Sequence, residues 1–126
     1  MHELSIAEAI VDVATRHATG RRVRKVEVKV GHLRQVVPDS LSFAFELVTL
    51  GTTLDGAELS ITQVPATGRC RECGGQSMLE SFPLCCARCG GLDVNVLAGE
   101  ELLVDALELE EESQTNERMG RYGSHV

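Results

Sequence analysis

The phrase Cys70-Arg71-Glu72-Cys73-Gly74-Gly75 returns as Cys86-Ala87-Arg88-Cys89-Gly90-Gly91. No other feature restricts the fold of this chain as strongly. A CxxC spacing lets two sulfurs turn toward one ion, and the glycines that follow supply the positive-φ backbone of a tight knuckle. Two such half-sites make a four-thiolate zinc site from Cys70, Cys73, Cys86 and Cys89. Such a site uses all four positions of a tetrahedral ion and leaves none for water or substrate, so its role is structural or regulatory. The twelve residues between the pairs form a hairpin with Phe82 and Leu84 expected beneath the ion. Cys85 offers a competing Cys85-x3-Cys89 pairing. The symmetry of the repeat selects Cys86, which leaves Cys85 as a small apolar core residue or a reactive thiol.

Five cysteines in 126 residues, four of them in CxxC pairs and with no secretory signal ahead of them, read as metal ligands in a reducing compartment rather than as disulfides. A cytoplasmic protein is expected. Glu3, Glu8 and Asp12 interrupt the apolar pattern of the first twenty residues, which therefore resemble neither a signal peptide nor a membrane span. The net charge of −7 and an aromatic content of 3% oppose binding to nucleic acid or anionic membrane, which require positive surface and stacking platforms.

The apolar residues Leu4, Ile6, Ala7, Ile10, Val11, Val13, Ala14 and Ala18 have the spacing of an amphipathic helix over residues 3–18, with Ser5 and Glu8 in a capping-box pattern. Val26, Val28 and Val30 alternate with charged residues as a half-buried strand does. Pro38 and Asp39 open a second helix, with Leu41, Ala44, Phe45 and Val48 on one stripe and Gly51 placed to end it. Leu59 and Ile61, then Leu102 to Leu109, read as two more strands around the cysteine-rich segment. The expected fold is α+β: two helices packed on a three-stranded sheet, with an inserted four-cysteine zinc-ribbon-like lobe. Residues 1–65 plus 99–110 form the α+β domain and residues 66–98 the zinc lobe. Residues 111–126 lack an apolar period and are expected to be disordered.

Met1-His2-Glu3 sits ahead of the Ser5 capping box, so His2 is expected at or before the helix start. Nδ1 of His2 and its own amide nitrogen close a six-membered ring on a metal, and the Met1 amine closes a five-membered ring beside it. Glu3 completes a square through its amide or its carboxylate. Planar nitrogen donors suit Ni(II) or Cu(II) rather than Zn(II) or Mg(II). A histidine beside an initiator methionine is nevertheless most often a solvated chain end. His17, near a helix C-terminus, and His32, in a turn, have still simpler readings.

Met1-His2-Glu3-Leu4-Ser5, Pro38-Asp39-Ser40-Leu41, Phe43-Ala44-Phe45-Glu46, Gly51-Thr52, Gly56-Ala57-Glu58-Leu59 and the two CxxCG knuckles together resemble the HypA/HybF family of hydrogenase nickel-incorporation proteins, over about residues 1 to 110. The resemblance implies a nickel metallochaperone that is not an enzyme and has no catalytic residue. It takes Ni(II) as cargo at the amino terminus and passes it to the large subunit of a [NiFe] hydrogenase, in company with a hydrogenase maturation GTPase. Carried onto this chain, the nickel ligand is His2, assisted by Glu3 and Met1, and the zinc ligands are Cys70, Cys73, Cys86 and Cys89. Some relatives also serve urease, so urease maturation proteins are further partners to consider, and a homodimer is compatible with the family. Ala87 stands where many members have Pro, and Cys85 is outside the usual pattern. The competing reading is a zinc-ribbon adaptor for nucleic acid or a protein complex, drawing on Arg69, Arg71 and Arg88. Balanced charge in the lobe weighs against it, and a zinc hydrolase lacks an open metal position.

Overall fold

The computed structural model describes residues 2–110 and 118–125. These fall into two compact units, one built from residues 1–29, 36–62 and 102–126, the other from 30–35 and 63–101. The elements run α1 (His2–Ala18), β1 (Val23–Gly31), a 3₁₀ turn (His32–Arg34), α2 (Pro38–Val48), β2 (Glu58–Val64), β3 (Thr67–Cys70), β4 (Gln76–Met78), β5 (Val94–Ala98), β6 (Leu102–Leu109) and β7 (Arg118–His125). They make a sheet in the order β2-β1-β6-β7 and a smaller one in the order β4-β3-β5.

In the first unit α1 packs on α2 and β6. It contributes Ile6, Ala7, Ile10, Val13, Ala14 and Ala18 to a core completed by Leu41, Ala44 and Phe45 of α2, by Val23, Val26 and Val28 of β1, and by Leu54. The apolar periods expected of α1 and α2 are present, although Leu4 is 48% exposed and Val11 and Val48 are only half-buried, while β2 does not alternate: Leu59, Ser60 and Ile61 are all half-buried. Buried positions in β6 change parity, from Leu102 and Val104 to Leu107 and Leu109. Strict alternation forbids this, and the register irregularities on both sides of Ala106 supply the needed half-step.

Two local expectations change. α1 begins at His2, so Ser5 lies inside its first turn rather than capping it. The Glu3 carboxylate accepts the Val37 N–H at 3.1 Å, a tertiary bond that ties the first turn to the residue before α2. The tail, expected to be disordered, provides β7, antiparallel to β6 with Glu108 opposite Arg118 and Leu103 opposite His125. The sheet therefore has a fourth strand. A ladder needs backbone donors and acceptors, not an apolar period, and the outer edge of β6 offers both. Residues 111–117 and Val126 lie outside the described residues.

The second unit is small and close-packed. β3 pairs antiparallel with β4, Thr67 opposite Met78, and with β5, Cys70 opposite Val94. Ala66, Leu79, Cys70 and Cys86 are buried. Residues 30–35 belong to this unit: Gly31 N–H donates to Glu101 O at 2.7 Å, Leu33 N–H to Gly99 O at 2.8 Å, and Arg34 Nε to Glu100 O at 2.8 Å. Backbones touch there. A Cβ on Gly31 would stand 2.1 Å from the Gly99 carbonyl carbon, and one on Gly99, whose φ is +115°, would stand 2.5 Å from Ala66 Cα. Phe82, expected to be packed beneath the ion, lies at the surface. It is 54% exposed and borders an open cavity of about 340 Å³ with Leu33, Arg34, Leu84 and Glu100.

The two phenylalanines of α2 should respond differently to truncation. Phe45 is 1% exposed and Phe43 62%. In urea unfolding, Phe45→Ala should lose about 3–5 kcal/mol, whereas Phe43→Ala should stay within about 0.5 kcal/mol of the parent.

Candidate metal centres

β3 ends on Cys70, and the chain turns through Arg71–Gly75 into β4. The second knuckle turns through Ala87–Gly91 before β5. Each is closed by the same pair of backbone bonds. Gly74 N–H donates to Cys70 O and Gly90 N–H to Cys86 O. Cys70 N–H donates to Gly75 O and Cys86 N–H to Gly91 O, all at 2.8–2.9 Å. The first glycine of each knuckle has a φ of +78° or +79°, the left-handed backbone that glycine adopts without penalty. The four sulfurs lie within 4.8 Å of one another. Cys70 Sγ is 3.6 Å from Cys89 Sγ, and Cys73 Sγ is 3.7 Å from Cys86 Sγ. Tetrahedral zinc with bonds of about 2.3 Å sets sulfurs about 3.8 Å apart, so the donor set fits that ion.

Backbone amides point at the sulfurs. Glu72 and Cys73 N–H donate to Cys70 Sγ, and Arg88 and Cys89 N–H to Cys86 Sγ, at 3.3–3.4 Å. Gly91 N–H donates to Cys89 Sγ at 3.4 Å. Donation from Cys89 and Arg88 lowers the Cys86 thiol to about 6. Cys89 goes the other way. The Gly91 amide favours its thiolate, but the bond with Cys70, desolvation and the bonds with Cys73 and Cys86 together push it to about 12. Four neighbouring sulfurs ionise together only when a cation balances them.

The second glycine of each knuckle has another task. A Cβ on Gly75 would meet the Arg88 side chain at 2.8 Å, and one on Gly91 would meet Glu72 Oε2 at 2.7 Å. Each knuckle thus lays a charged side chain across the other, a reciprocity invisible in the spacing alone. Arg71 Nη1 also bonds Asp93 Oδ1 at 2.8 Å. Cys85 is an exposed free thiol, not the apolar core residue that was one of its two sequence readings.

At the other candidate site, His2 is the first residue of α1 and its side chain is 51% exposed. Its Nε2 lies 4.0 Å from Glu3 Oε2. Glu3 is only 7% exposed. The chain's α-amino group, the Val37 amide and its own amide hold its carboxyl at about 2, against the ordinary 4.5. Met1 lies outside the described residues. The Glu3–Val37 bond spans 34 positions and leaves no local signal. His17 lies in the last turn of α1, and the His32 ring is 2.7 Å from Glu80 O.

Two expectations follow. Chelating the metal, or Cys73→Ser, should open residues 63–101 to protease, whereas Cys85→Ser should leave the zinc content unchanged; metal analysis and limited proteolysis read both. Glu3 favours folding in its ionised form, so its contribution is complete above about pH 4.5 and disappears as the pH falls through about 2. The stability gap between the parent and Glu3→Gln in acid unfolding should close over that interval.

The family described as "Hydrogenase/urease nickel incorporation, metallochaperone, hypA" matches residues 1–109. The hydrogenase maturation factor HypA of Geotalea uraniireducens is 48% identical over 110 residues, covering 87% of this chain and all of that protein. The HypA of Nostoc punctiforme is 41% identical over 112 residues, covering 88% and 97%. The solution structure of the Ni metallochaperone HypA from Helicobacter pylori has the same fold, with a TM-score of 0.65 at 21% identity over 89% of this chain and all of that one. The chain therefore belongs to the HypA family of hydrogenase and urease nickel-incorporation metallochaperones.

Proposed function

We propose that this chain carries Ni(II) on its amino terminus and delivers it to the large subunit of a [NiFe] hydrogenase, working with a maturation GTPase in the cytoplasm. One observation carries the reading at atomic scale: an exposed imidazole, His2, opens α1 beside a carboxylate anchored to the protein. The first amides of a helix have no intrahelical acceptors, so using the His2 or Glu3 amide nitrogen as a donor breaks no ladder bond. The Met1 amine and the His2 ring complete a planar nitrogen set suited to Ni(II). Glu3 serves through its amide or carboxylate while its bond to Val37 holds the first turn in place. Cargo must leave as well as bind, and donors at an exposed helix start are displaced one at a time by an acceptor's ligands.

Zinc on Cys70, Cys73, Cys86 and Cys89 supplies a closed crosslink that holds the second unit folded. With no open position there, the chain acts as a carrier and not as an enzyme. The adaptor reading loses ground because Arg71 is paired with Asp93 and Arg88 lies against Gly75.

The test is a nickel titration of zinc-loaded protein. The parent should bind stoichiometrically, more tightly as pH rises because the donors must shed protons. His2→Ala should lose stoichiometric binding, and its retention would overturn the reading. Residues added ahead of Met1 should weaken binding if the amine is a ligand and leave it intact if His2 and Glu3 suffice.

A further inference from the structure

α2 has a second apolar stripe that its own fold does not use. Leu41, Ala44 and Phe45 face the core, while Phe43, Leu47 and Leu50 are 62%, 50% and 65% exposed. At 100° per residue, positions 43, 47 and 50 lie within about 60° of one another and opposite the buried face. Leu50 extends the stripe through the turn after the helix, its N–H donating to Leu47 O at 3.4 Å. Spacings of i, i+4 and i+7 are those by which a helix presents anchors to a partner.

The segment that carries this stripe is acidic in sequence, and Arg22 meets it at the Asp55 carbonyl oxygen, 2.7 Å away, beyond the end of the helix. No Lys, Arg or His occurs from Gln35 to Gly68, whereas Asp39, Glu46, Asp55 and Glu58 do. Asp39 and Glu46 lie on one flank of the stripe by the same helical geometry. A second copy docking through this face would set these carboxylates against themselves, and an anionic membrane would be repelled. Helix α2 also begins where Val37 N–H bonds Glu3, so its amino end adjoins His2.

We propose that Phe43, Leu47 and Leu50 form the docking surface for an amphipathic helix, apolar on one side and flanked by Lys or Arg, belonging to the protein that exchanges nickel with this chain. The partner's role rests on the nickel-carrier reading. The surface itself rests on exposure and charge.

The probe is an 18-residue helical peptide of Leu at i, i+3, i+4 and i+7 with Lys elsewhere, against a matched peptide with Glu for Lys, measured by fluorescence anisotropy on zinc-loaded protein. The Leu/Lys peptide should bind, more weakly as salt rises. Phe43→Ser/Leu47→Ser should weaken it at least about tenfold, and Glu46→Lys should weaken it too. Leu92→Ser, an equally exposed apolar position in the other unit, should not. Circular dichroism establishes that each variant is folded. Unchanged affinity in the folded double variant, or equal binding of the Leu/Glu peptide, overturns the proposal. So does concentration-dependent dimerisation of the parent that the double variant abolishes, which would make a second copy the occupant. Nickel titration of the double variant separates the two claims: intact nickel binding with lost peptide binding is expected, and a failure of the nickel reading appears in the His2→Ala titration whatever the peptide does.

Discussion

Four sulfur atoms within 4.8 Å of one another are a crowding that thiols alone do not favour, and the second unit is arranged to sustain it. Its apolar interior is slight, with Val30, Ala66 and Leu79 as the buried apolar side chains outside the cluster. Too little area is removed from water there to offset the entropy of ordering the segment. The knuckles compensate by directing amides at sulfur and by closing each turn with two backbone bonds. The amides lower the Cys86 thiol while the neighbouring sulfurs and desolvation raise that of Cys89, so the pair does not ionise together unaided.

The first unit solves a different problem. It has enough Val, Leu, Ile and Ala to build a core with Phe45 as a central aromatic. Its specificity lies at the chain's beginning, where burial of Glu3 against the Val37 amide anchors the start of α1 and leaves His2 in solvent. A buried carboxylate costs stability unless it is satisfied, and here the satisfying donors also fix the direction of the neighbouring imidazole's helix. Glu3 is held and His2, the residue before it, is accessible.

Much was legible from periodicity and spacing. The two helices, the strands around Val26–Val30 and Leu102–Leu109, and the CxxC cluster are local patterns, and local patterns survive folding when the core accepts them. The misreadings share one cause, which is dependence on partners distant in sequence. Ser5 resembled a cap, but the helix begins at His2, where Glu3 bonds Val37. Phe82 and Leu84 have the right character for a core, yet Leu79 takes the buried place. Residues 118–125 have no apolar period and still pair with β6, since strand pairing draws on backbone groups that every sequence carries.

The doubled CxxCGG determined, without any structure, that four cysteines would gather at one place and that the first glycine of each pair would take positive φ. Local stereochemistry suffices for that. Only the tertiary structure decided what the second glycines do, because Arg88 and Glu72 cross from the opposite knuckle to lie on them. It likewise decided that Gly31, Gly99 and Ala66 meet backbone to backbone, that Glu3 is anchored and His2 exposed, and that Phe43 and Leu47 face solvent while Phe45 is buried. Those are relations between residues far apart along the chain, and their energies come from burial and close contact, which no local spacing encodes.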